Sequence, residues 1–491
     1  MHLSPSYKLM FEGLPDPAGW ARFLTYARRV RRITFEYSLN FPLEEISHEA
    51  LEDMGMTRTT ATILPSLTSL TWDCKDTVVA FDSVMFLHQG IREFIWYLPK
   101  VVRYSHPLSS FFTNVAARMP DLDTFELRSV APLKLIQKDL LEFLPKLRKL
   151  RKLGLPIFYV TPEVAQTLAT IPCLETIYYS DISSPSYGNS EDVEVFRPSL
   201  SSDSFPALKS LEIAVHTPEF HHMGSTWSMH NLTTLHLQEV TPLLADTALS
   251  VVTCICTQCP SLENLILDFR CSMLIADEQM IVDDDEVEID MEPIDIKVIE
   301  PLFQMRHLQH FTISHDRVLE LSHEDMDTIA FRFRNLKSIV LNPEPFVTVK
   351  SALTLGALNS LLRECPNIEE IGLYIDATQP AFDMLDIPED KEVGRALKTL
   401  RFGTSYIEEV HSVANSLSKI VPVSCTVSHA LQHRAHYIAD WDLTTCSNRW
   451  KEVGEVAALL TTAREEERQR TRELQLEMER LRAQLTQATQ R

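Results

Sequence analysis

The stretch at residues 241–268, TPLLADTALSVVTCICTQCPSLENLILD, shows the pattern on which the rest of the chain is built. Its first half predicts an amphipathic helix, because apolar residues recur at helical spacing at Leu244, Ala248, Val251, Val252 and Ile255. Cys259 and Pro260 end that pattern. A spacing of three and then two follows, which predicts a turn that enters a short strand at Leu262, Leu265 and Leu267. One helix and one strand cannot bury both apolar faces alone, so the repeat needs copies stacked beside it.

The spacing apolar-x-x-apolar-x-apolar recurs along the chain and predicts thirteen repeats, with a mean step of about 31 residues. Single matches to so loose a pattern arise by chance in any leucine-rich helical protein. Thirteen matches with helical patterns between them are not expected by chance. The repeats start at Val30, Leu67, Ile91, Leu122, Leu150, Leu174, Leu208, Leu232, Leu262, Leu308, Leu336, Ile368 and Leu397.

Helical patterns precede many of these predicted strands. Before the Leu122 strand the apolar positions are Leu108, Phe112, Val115 and Met119. Similar patterns precede the later strands, with Met326, Ile329 and Phe333 before Leu336, and Leu355, Leu358 and Leu362 before Ile368. Parallel strands need a crossover connection, and a helix supplies one. The sequence therefore predicts an α/β solenoid, a curved parallel sheet with helices on its convex side.

Two segments resemble the leucine-rich repeats of F-box proteins. They are CPSLENLIL at residues 259–267 and CPNIEEIGL at residues 365–373. The N-terminal WARF at residues 20–23, with YARRVRRI at residues 26–33, resembles the segment just after the F-box in expanded fungal F-box families. The resemblance covers about residues 9–428 and implies a leucine-rich-repeat fold. The mean step lies somewhat beyond the roughly 20 to 29 residues usual for such repeats.

The resemblance also implies a role as substrate receptor in ubiquitin ligation, through a Skp-type adaptor and a cullin. Those partners are expected only if an F-box element is present. An F-box is three helices that open near a Leu-Pro dipeptide, whereas here Leu14-Pro15 lies close before the first repeat strand at Val30. Pro17 and Gly19 would interrupt its first helix. We therefore expect the F-box to be missing or reduced.

Charge and composition restrict the class of partner. The formal net charge is −22, which disfavours nucleic-acid backbones and anionic membranes as partners. The start has no apolar run of signal-peptide length, and no window approaches a membrane span. Nine cysteines scattered through predicted helices and strand starts fit a reducing compartment. We expect a cytoplasmic or nuclear location.

Composition shifts divide the chain into four segments. Residues 1–29 are predicted to form an N-terminal cap or post-F-box segment, and residues 30–428 the solenoid. Within the solenoid, residues 277–295 carry ten acidic residues and no base, so a disordered acidic loop is predicted. Residues 429–450 are read as a linker. Residues 451–491 predict a long charged helix, either a solvated single helix or a short coiled coil that pairs with itself or with a partner.

No catalytic, metal or cofactor site is predicted. Cys256 and Cys259 form a C-x-x-C match, but they lie at the C-terminal end of a helix, where the dipole does not favour a thiolate. No second cysteine pair or spaced histidine pair completes a zinc site. The histidines at 216, 221, 222, 230 and 236 match no ligand spacing. Phosphate loops, dinucleotide fingerprints and hydrolase motifs are absent from the sequence.

Binding is predicted on the sheet face opposite to the core. If the residues three and five positions after each start point inward, those at two, four and six positions point outward. Aromatic and arginine side chains supply most of the energy of protein interfaces. The candidate partner-binding residues are Tyr97, Arg128, Tyr178, Glu212, His236, Asp268 and Tyr374.

Three functions follow from these observations. The first is a non-catalytic protein-binding solenoid, the substrate-recognition part of an F-box-type ubiquitin ligase receptor, with a protein ligand of unknown identity. The second is a ligase-independent scaffold that oligomerises through residues 451–491. The third is a hydrolase or redox enzyme that uses Cys256 and Cys259.

Overall fold

The computed structural model describes residues 8–36, 45–73, 79–99, 107–180, 192–216, 229–241, 243–270, 292–378, 394–428, 438–439 and 442–489. The chain divides into two compact units. Unit 1 is Met1–Val240 and unit 2 is Thr241–Arg491. Each unit is built from parallel strands that pair with the next strand along the chain.

Unit 1 contains eight of these parallel strands in its described residues. Each pairs with its sequence neighbours in register, so that Tyr97 lies opposite Arg128 and Glu212 opposite His236. The strands are β1 (Arg32–Glu36), β2 (Ser69–Asp73), β3 (Glu93–Leu98), β4 (Thr124–Ser129), β5 (Lys152–Leu155), β6 (Thr176–Tyr179), β7 (Ser210–Val215) and β8 (Thr234–Glu239).

Unit 2 continues the pattern with six parallel strands in the part of the chain that is described. They are β9 (Asn264–Phe269), β10 (His310–His315), β11 (Ser338–Leu341), β12 (Glu370–Leu373), β13 (Thr399–Arg401) and β14 (Thr426–Ser428). Three further pairs of two-residue parallel strands are described. In unit 1, Lys8–Leu9 pairs with Glu45–Ile46. In unit 2, Val347–Thr348 pairs with Ile438–Ala439, and Asp376–Ala377 pairs with Tyr406–Ile407.

The predicted repeats are confirmed strand by strand. All thirteen predicted start residues lie two positions before an observed strand, as Leu67 does before Ser69 and Leu262 does before Asn264. From the second repeat onward the alternate residues predicted to point inward are buried, as at Phe94 and Trp96, whereas Ile33 and Phe35 of the first strand are partly exposed. The fourteenth strand was not predicted, because its start position is Ser424 rather than an apolar residue.

Helices connect many of the strands on the inward side of the sheet. The described helices are α1 (Pro17–Ala27), α2 (His48–Thr57), α3 (Val79–Asp82), α4 (Leu108–Arg118), α5 (Gln137–Phe143), α6 (Pro162–Leu168), α7 (Ala245–Gln258), α8 (Ile296–Ile299), α9 (His323–Arg332), α10 (Leu358–Glu364), α11 (Val410–Leu417) and α12 (Leu443–Thr489). Shorter 3-10 helices occupy Ser83–Phe86, Leu133–Leu135, Leu144–Lys146, Glu300–Gln304 and Leu355–Ala357.

Helix starts follow local capping chemistry. Ser322 caps α9 in a capping box with Asp325, and Thr161 caps α6 ahead of Pro162. The predicted helix at residues 244–255 is observed as α7, with Leu244 as its exposed N-cap rather than as part of its apolar face. Pro17 does not interrupt a helix but begins one, since Asp16 caps α1 and accepts a hydrogen bond from the Gly19 backbone N–H at 2.6 Å.

Aromatic side chains fill the core of unit 1 between strands and helices. Trp96 of β3 stacks on Phe111 of α4 with ring centroids 4.1 Å apart. Phe112 of α4 stacks on Phe143 of α5 at 4.5 Å, and Phe143 meets Phe125 of β4 edge-on at 5.3 Å. Such pairs add to the burial of apolar area and join each helix both to its strand and to the next helix.

The first half of α12 packs on the last repeats of unit 2. Its buried side chains are Cys446, Trp450, Val453, Ala457 and Thr461. The Trp450 ring stacks on Phe402 at 4.4 Å, and its indole N–H donates to the Ser405 carbonyl at 2.8 Å. Arg464 donates to the side-chain oxygen of Asn415 at 2.6 Å. This half of the helix covers residues that would otherwise end the repeat array with exposed apolar surface.

The C-terminal helix starts earlier in the chain than predicted. The C-terminal helix begins at Leu443, within the segment predicted as linker. Most of the predicted acidic loop, residues 277–291, lies outside the described residues. Its last part is ordered, with Ile294 buried and Asp295 capping α8. The chain has the α/β leucine-rich-repeat fold with a long C-terminal helix.

Replacement of Trp450 tests whether α12 is part of the core of unit 2. We expect Trp450→Ala to lower the free energy of unfolding by about 3–5 kcal/mol, because a fully buried indole and its hydrogen bond are lost. Urea denaturation followed by circular dichroism measures the change. Leu459→Ala, on the exposed side of the same helix, is the matched control and should shift the value by less than about 0.5 kcal/mol. Equal effects of the two changes would contradict this packing.

Candidate functional site

The outward face of the unit 1 strands holds a network of charged and hydroxyl groups from three strands. We name it the carboxylate–arginine cluster, and it consists of Asp73, Glu126, Arg128 and Tyr178. Arg128 of β4 donates through Nε to Glu126 Oε1 at 2.7 Å and through Nη1 to Asp73 Oδ2 at 3.1 Å. Asp73, at the end of β2, is 55 residues away from Arg128 in sequence. Charge-assisted hydrogen bonds of this kind hold a guanidinium in one orientation.

Tyr178 completes the cluster from two strands away. It lies on β6 and donates its hydroxyl to Glu126 Oε2 on β4 at 3.0 Å, passing over β5. The residue of β5 that it crosses is Gly154. A Cβ at that position would lie 2.7 Å from Glu126 Cγ and 2.8 Å from Tyr178 Cζ. The missing side chain of Gly154 therefore makes room for the bond between Tyr178 and Glu126.

The electrostatics of the cluster keep each group in its bonding state. Burial and the nearby Glu126 carboxylate raise the pKa of Tyr178, so the phenol stays a proton donor. Burial of Arg128 disfavours its charge, but the hydrogen bonds that it donates to Glu126 and Asp73, and the charges of these two carboxylates, outweigh this effect and raise its pKa. Tyr97 of β3 lies opposite Arg128 of β4. Burial and the charge of Asp73 raise the pKa of Tyr97 as well. The cluster holds two carboxylates against one guanidinium.

A second group lies further along the same face, on β6 to β8. The Glu212 carboxylate accepts a hydrogen bond from the Tyr179 backbone N–H at 2.8 Å. Burial raises the pKa of Glu212 above its ordinary value. The His236 ring packs edge-on against Tyr179, with ring centroids 5.2 Å apart. Glu212 and His236 are register partners on adjacent strands, so their side chains lie next to each other on this face.

Exposure separates the supporting side chains from those that a partner could touch. Tyr97, Glu126 and Arg128 are buried. Half-exposed side chains on the same face are Glu93, Ile95, Tyr178, Glu212 and His236. Glu93 accepts a hydrogen bond from the Ser69 hydroxyl at 2.5 Å. The accessible part of the face is therefore acidic and partly aromatic, and internal hydrogen bonds orient several of its side chains.

The two remaining predicted residues lie in unit 2. Asp268 accepts two hydrogen bonds from Arg270, at 2.8 Å from Nε and 2.5 Å from Nη2. Tyr374 follows β12, is buried, and donates its hydroxyl to the Val349 carbonyl at 2.7 Å. Its hydroxyl thus ties a loop of unit 2 to the end of a strand. Of the seven predicted residues, Arg128 and Tyr178 are joined through Glu126. Two pairs lie opposite each other on adjacent strands, Tyr97 with Arg128 and Glu212 with His236.

Two cluster members were absent from the predicted set, Asp73 and Glu126. Glu126 occupies the fourth position after Leu122, where an outward-facing side chain was expected. Asp73 occupies the sixth position after Leu67. The same offset that selected Tyr97 and Arg128 therefore points to Asp73. No feature of the sequence shows that the two acids share one arginine.

The cysteine pair lies in an environment that opposes thiolate chemistry. Cys256 and Cys259 are both buried at the end of α7. Burial raises the pKa of Cys256 to about 11 and also raises that of Cys259. These pKa shifts count against the hypothesis of a redox enzyme or hydrolase that uses this pair.

The described ranges contain neither a metal-site arrangement nor a membrane-spanning helix. No group of three or more His, Cys, Asp or Glu side chains there is arranged to hold a metal ion. Among the histidines, His216 contacts the Val193 carbonyl at 3.2 Å, while His221 and His222 lie outside the described residues. None of the helices in that part of the chain is long and apolar enough to cross a membrane.

Comparison with known proteins gives structural similarity only. The sequence matches no family description and no curated protein. The complex of Rad7 and Elc1 in yeast contains a similar chain, with 12% identity, a TM-score of 0.40 and coverage of 74% of this chain and 85% of that one. The TLR13–ssRNA13 complex contains another, with 13% identity, a TM-score of 0.34 and coverage of 84% and 55%. Both TM-scores are low, so what those proteins bind is not carried over to this chain.

Substitution of Gly154 tests the geometry of the cluster. We expect Gly154→Ala to lower the free energy of unfolding by about 1–3 kcal/mol, because the new methyl group meets Glu126 and Tyr178 below contact distance. Urea denaturation measures the loss. In a Tyr178→Ala background part of the overlap is removed, so the same change should cost less, with a coupling of about 0.5–3 kcal/mol. Additive effects would contradict the close approach of Tyr178 to Gly154.

Alkylation tests the state of the cysteines. We expect iodoacetamide at pH 8 to label the exposed Cys173 in the native protein and to leave Cys256 and Cys259 unlabelled, because both are buried and their thiols carry raised pKa values. Mass spectrometry of proteolytic peptides gives the labelled fraction at each site. Unfolding in urea should remove the protection. Rapid native labelling of Cys256 would instead support a reactive thiol.

Proposed function

We propose that the outward face of unit 1 is a protein-binding surface and that the chain acts by binding rather than by catalysis. The observation that carries this proposal is the carboxylate–arginine cluster. Tyr178 is held by its hydroxyl on Glu126, and Glu126 is held by Arg128, so a half-exposed aromatic side chain is fixed before any partner arrives. A preorganised aromatic side chain loses little conformational entropy on binding, which is a property of interface hot spots.

The chemistry of the face favours a partner segment with basic and hydrogen-bond-donating side chains. Glu93 and Glu212 are the half-exposed carboxylates, and Tyr178 lies between them on the sheet. The whole chain is also acidic, with a net charge of −22, so association with a basic segment would be steered by charge. The predicted residues Tyr97 and Arg128 support this surface from below, since both are buried.

The ligase role is the finer part of the proposal, and it rests on the resemblance to F-box proteins. A Skp-type adaptor and a cullin would bind at the N-terminal segment. That segment exposes several apolar side chains ahead of β1, which is compatible with a protein contact there: Leu9, Met10, Phe11 and Leu14. The contrasting function is a binding scaffold without a ligase. Recovery of the adaptor separates the two.

The test is affinity capture of the tagged full chain from its own cells, compared between variants. We expect Tyr178→Ala to weaken partner capture by about tenfold or more, as loss of an aromatic hot spot does. Glu212→Gln keeps an acceptor for the Tyr179 N–H and removes one charge, so its effect should grow as salt concentration falls. Phe331→Ala is the matched control, because Phe331 is an exposed aromatic residue on α9 and belongs neither to the outward face of unit 1 nor to the N-terminal segment.

The outcomes separate the parts of the proposal. A partner lost with Tyr178→Ala and retained with Phe331→Ala supports the binding face. Equal capture by all variants, with circular dichroism showing that they are folded, contradicts it. Recovery of the Skp adaptor and cullin with the wild-type chain supports the ligase role. Absence of both, with the partner still captured through Tyr178, leaves the scaffold function.

A further inference from the structure

The C-terminal helix α12 has two halves with different surroundings. In the first half, Cys446, Trp450, Val453 and Ala457 are spaced by four, three and four residues and are buried against unit 2. Arg464 makes the last side-chain bond to the body of unit 2 among those the structure shows, to Asn415. From Glu465 to Leu485 every residue is exposed. The helix therefore leaves unit 2 after about Arg464 and continues into solvent.

The second half repeats the same apolar spacing on exposed surface. Leu474, Met478, Leu481 and Leu485 are spaced by four, three and four residues and are between 52% and 69% exposed. Spacing of this kind places all four on one stripe with the 3.5-residue period of a coiled coil. Isolated exposed leucines are ordinary on protein surfaces. Four in register along the exposed half of one helix form a contact surface instead.

We propose that this stripe pairs with the same stripe of a second copy of the chain, as a parallel two-stranded coiled coil. In heptad terms Leu474 and Leu481 occupy d positions, and Met478 and Leu485 occupy a positions. Leucine at d is a feature of parallel dimeric coiled coils. The stripe is apolar along one line and has charged residues on both sides, so it is complementary to itself. A second copy of the chain can therefore cover it.

Charge complementarity selects the parallel arrangement. Glu477 occupies a g position, and Arg482 occupies the e position five residues later. In a parallel pair, Glu477 of one copy lies opposite Arg482 of the other, and the symmetry makes this contact twice. An antiparallel pair with the same four apolar residues in register would place Glu477 near Gln484 and Arg482 near Gln475. That arrangement forms no pair of opposite charges.

The geometry of α12 allows two bodies to be joined in this way. Leu474 is ten residues beyond Arg464, so the first paired position lies about 15 Å outside the packed half of the helix. The packed half also fixes the start of the helix, which removes the nucleation cost that an isolated helix of this length would have. The contact spans two heptads, so we expect a reversible dimer rather than a permanent one.

Sedimentation equilibrium of the full chain tests the pairing. The wild-type chain should shift with concentration from 56.2 kDa toward twice that mass. Leu481→Glu places a charge in the stripe and should leave a monomer at all concentrations studied. Leu476→Glu is the matched control, because Leu476 is an equally exposed leucine of the same helix that lies off the stripe. This variant should dimerise like the wild type.

Cysteine cross-linking tests the direction of the pair. In a parallel dimer the two 474 positions face each other, so Leu474→Cys should form a disulfide-linked dimer under mild oxidation, above the background of the wild-type chain. In an antiparallel dimer position 474 faces Leu485, and no such product forms. Self-pairing would be overturned by a wild-type chain that stays monomeric. It would also be overturned if Leu481→Glu and Leu476→Glu reduced the dimer fraction equally. A dimer that fails to cross-link would overturn the parallel arrangement.

Discussion

Within each unit, parallel pairing of each strand with the next one along the chain is the constraint on which the rest of the structure depends. Because neighbouring strands of a unit align in register, the inward and outward positions of its repeats fall into rows. The inward rows are filled by large apolar side chains such as Trp96, Phe125 and Leu265, and the helices cover them. The outward rows bring together side chains that are 24 to 55 residues apart in sequence. Both the core and the candidate binding face are thus products of one register.

The outward face combines rigidity with accessibility. Arg128 lies between Asp73 and Glu126, and the second oxygen of Glu126 holds the Tyr178 hydroxyl. Each group satisfies the hydrogen-bonding needs of the next, which removes much of the penalty of burying charge. Gly154 has a specific part in this arrangement, because any side chain at that position would occupy the path of Tyr178. The buried Asp73, Glu126 and Arg128 hold the arrangement in place, and the half-exposed Tyr178 stays available for contact with a partner.

The C-terminal helix uses one apolar spacing for two purposes. Around Trp450 the stripe is covered by unit 2 and ends its apolar surface, whereas around Leu481 the same stripe faces solvent. If the second stripe pairs two chains, each assembly carries two outward faces. A partner with two binding segments would then be held more tightly than by either face alone, without any new contact.

The sequence by itself determined the repeat and the direction of its side chains. Thirteen strand positions and their inward residues follow from a period of two within strands and of 3.6 within helices, and such periods are local properties of the chain. The fourteenth strand escaped prediction because Ser424 breaks the apolar rule. The helix start at Leu443 was missed although Asp442 marks it, since the Asp442 carboxylate accepts a hydrogen bond from the Thr444 backbone N–H at 3.0 Å.

The tertiary structure decided which side chains meet. The sequence pointed to Arg128 and Tyr178 as outward-facing, but it could not show that Glu126 joins them, that Asp73 reaches Arg128 from a strand two places away, or that Tyr374 is buried. It also could not show which half of α12 is covered. Contacts between different repeats depend on strand register, side-chain rotamers and the space left by neighbours such as Gly154. The spacing of residues along a single repeat does not determine any of these three.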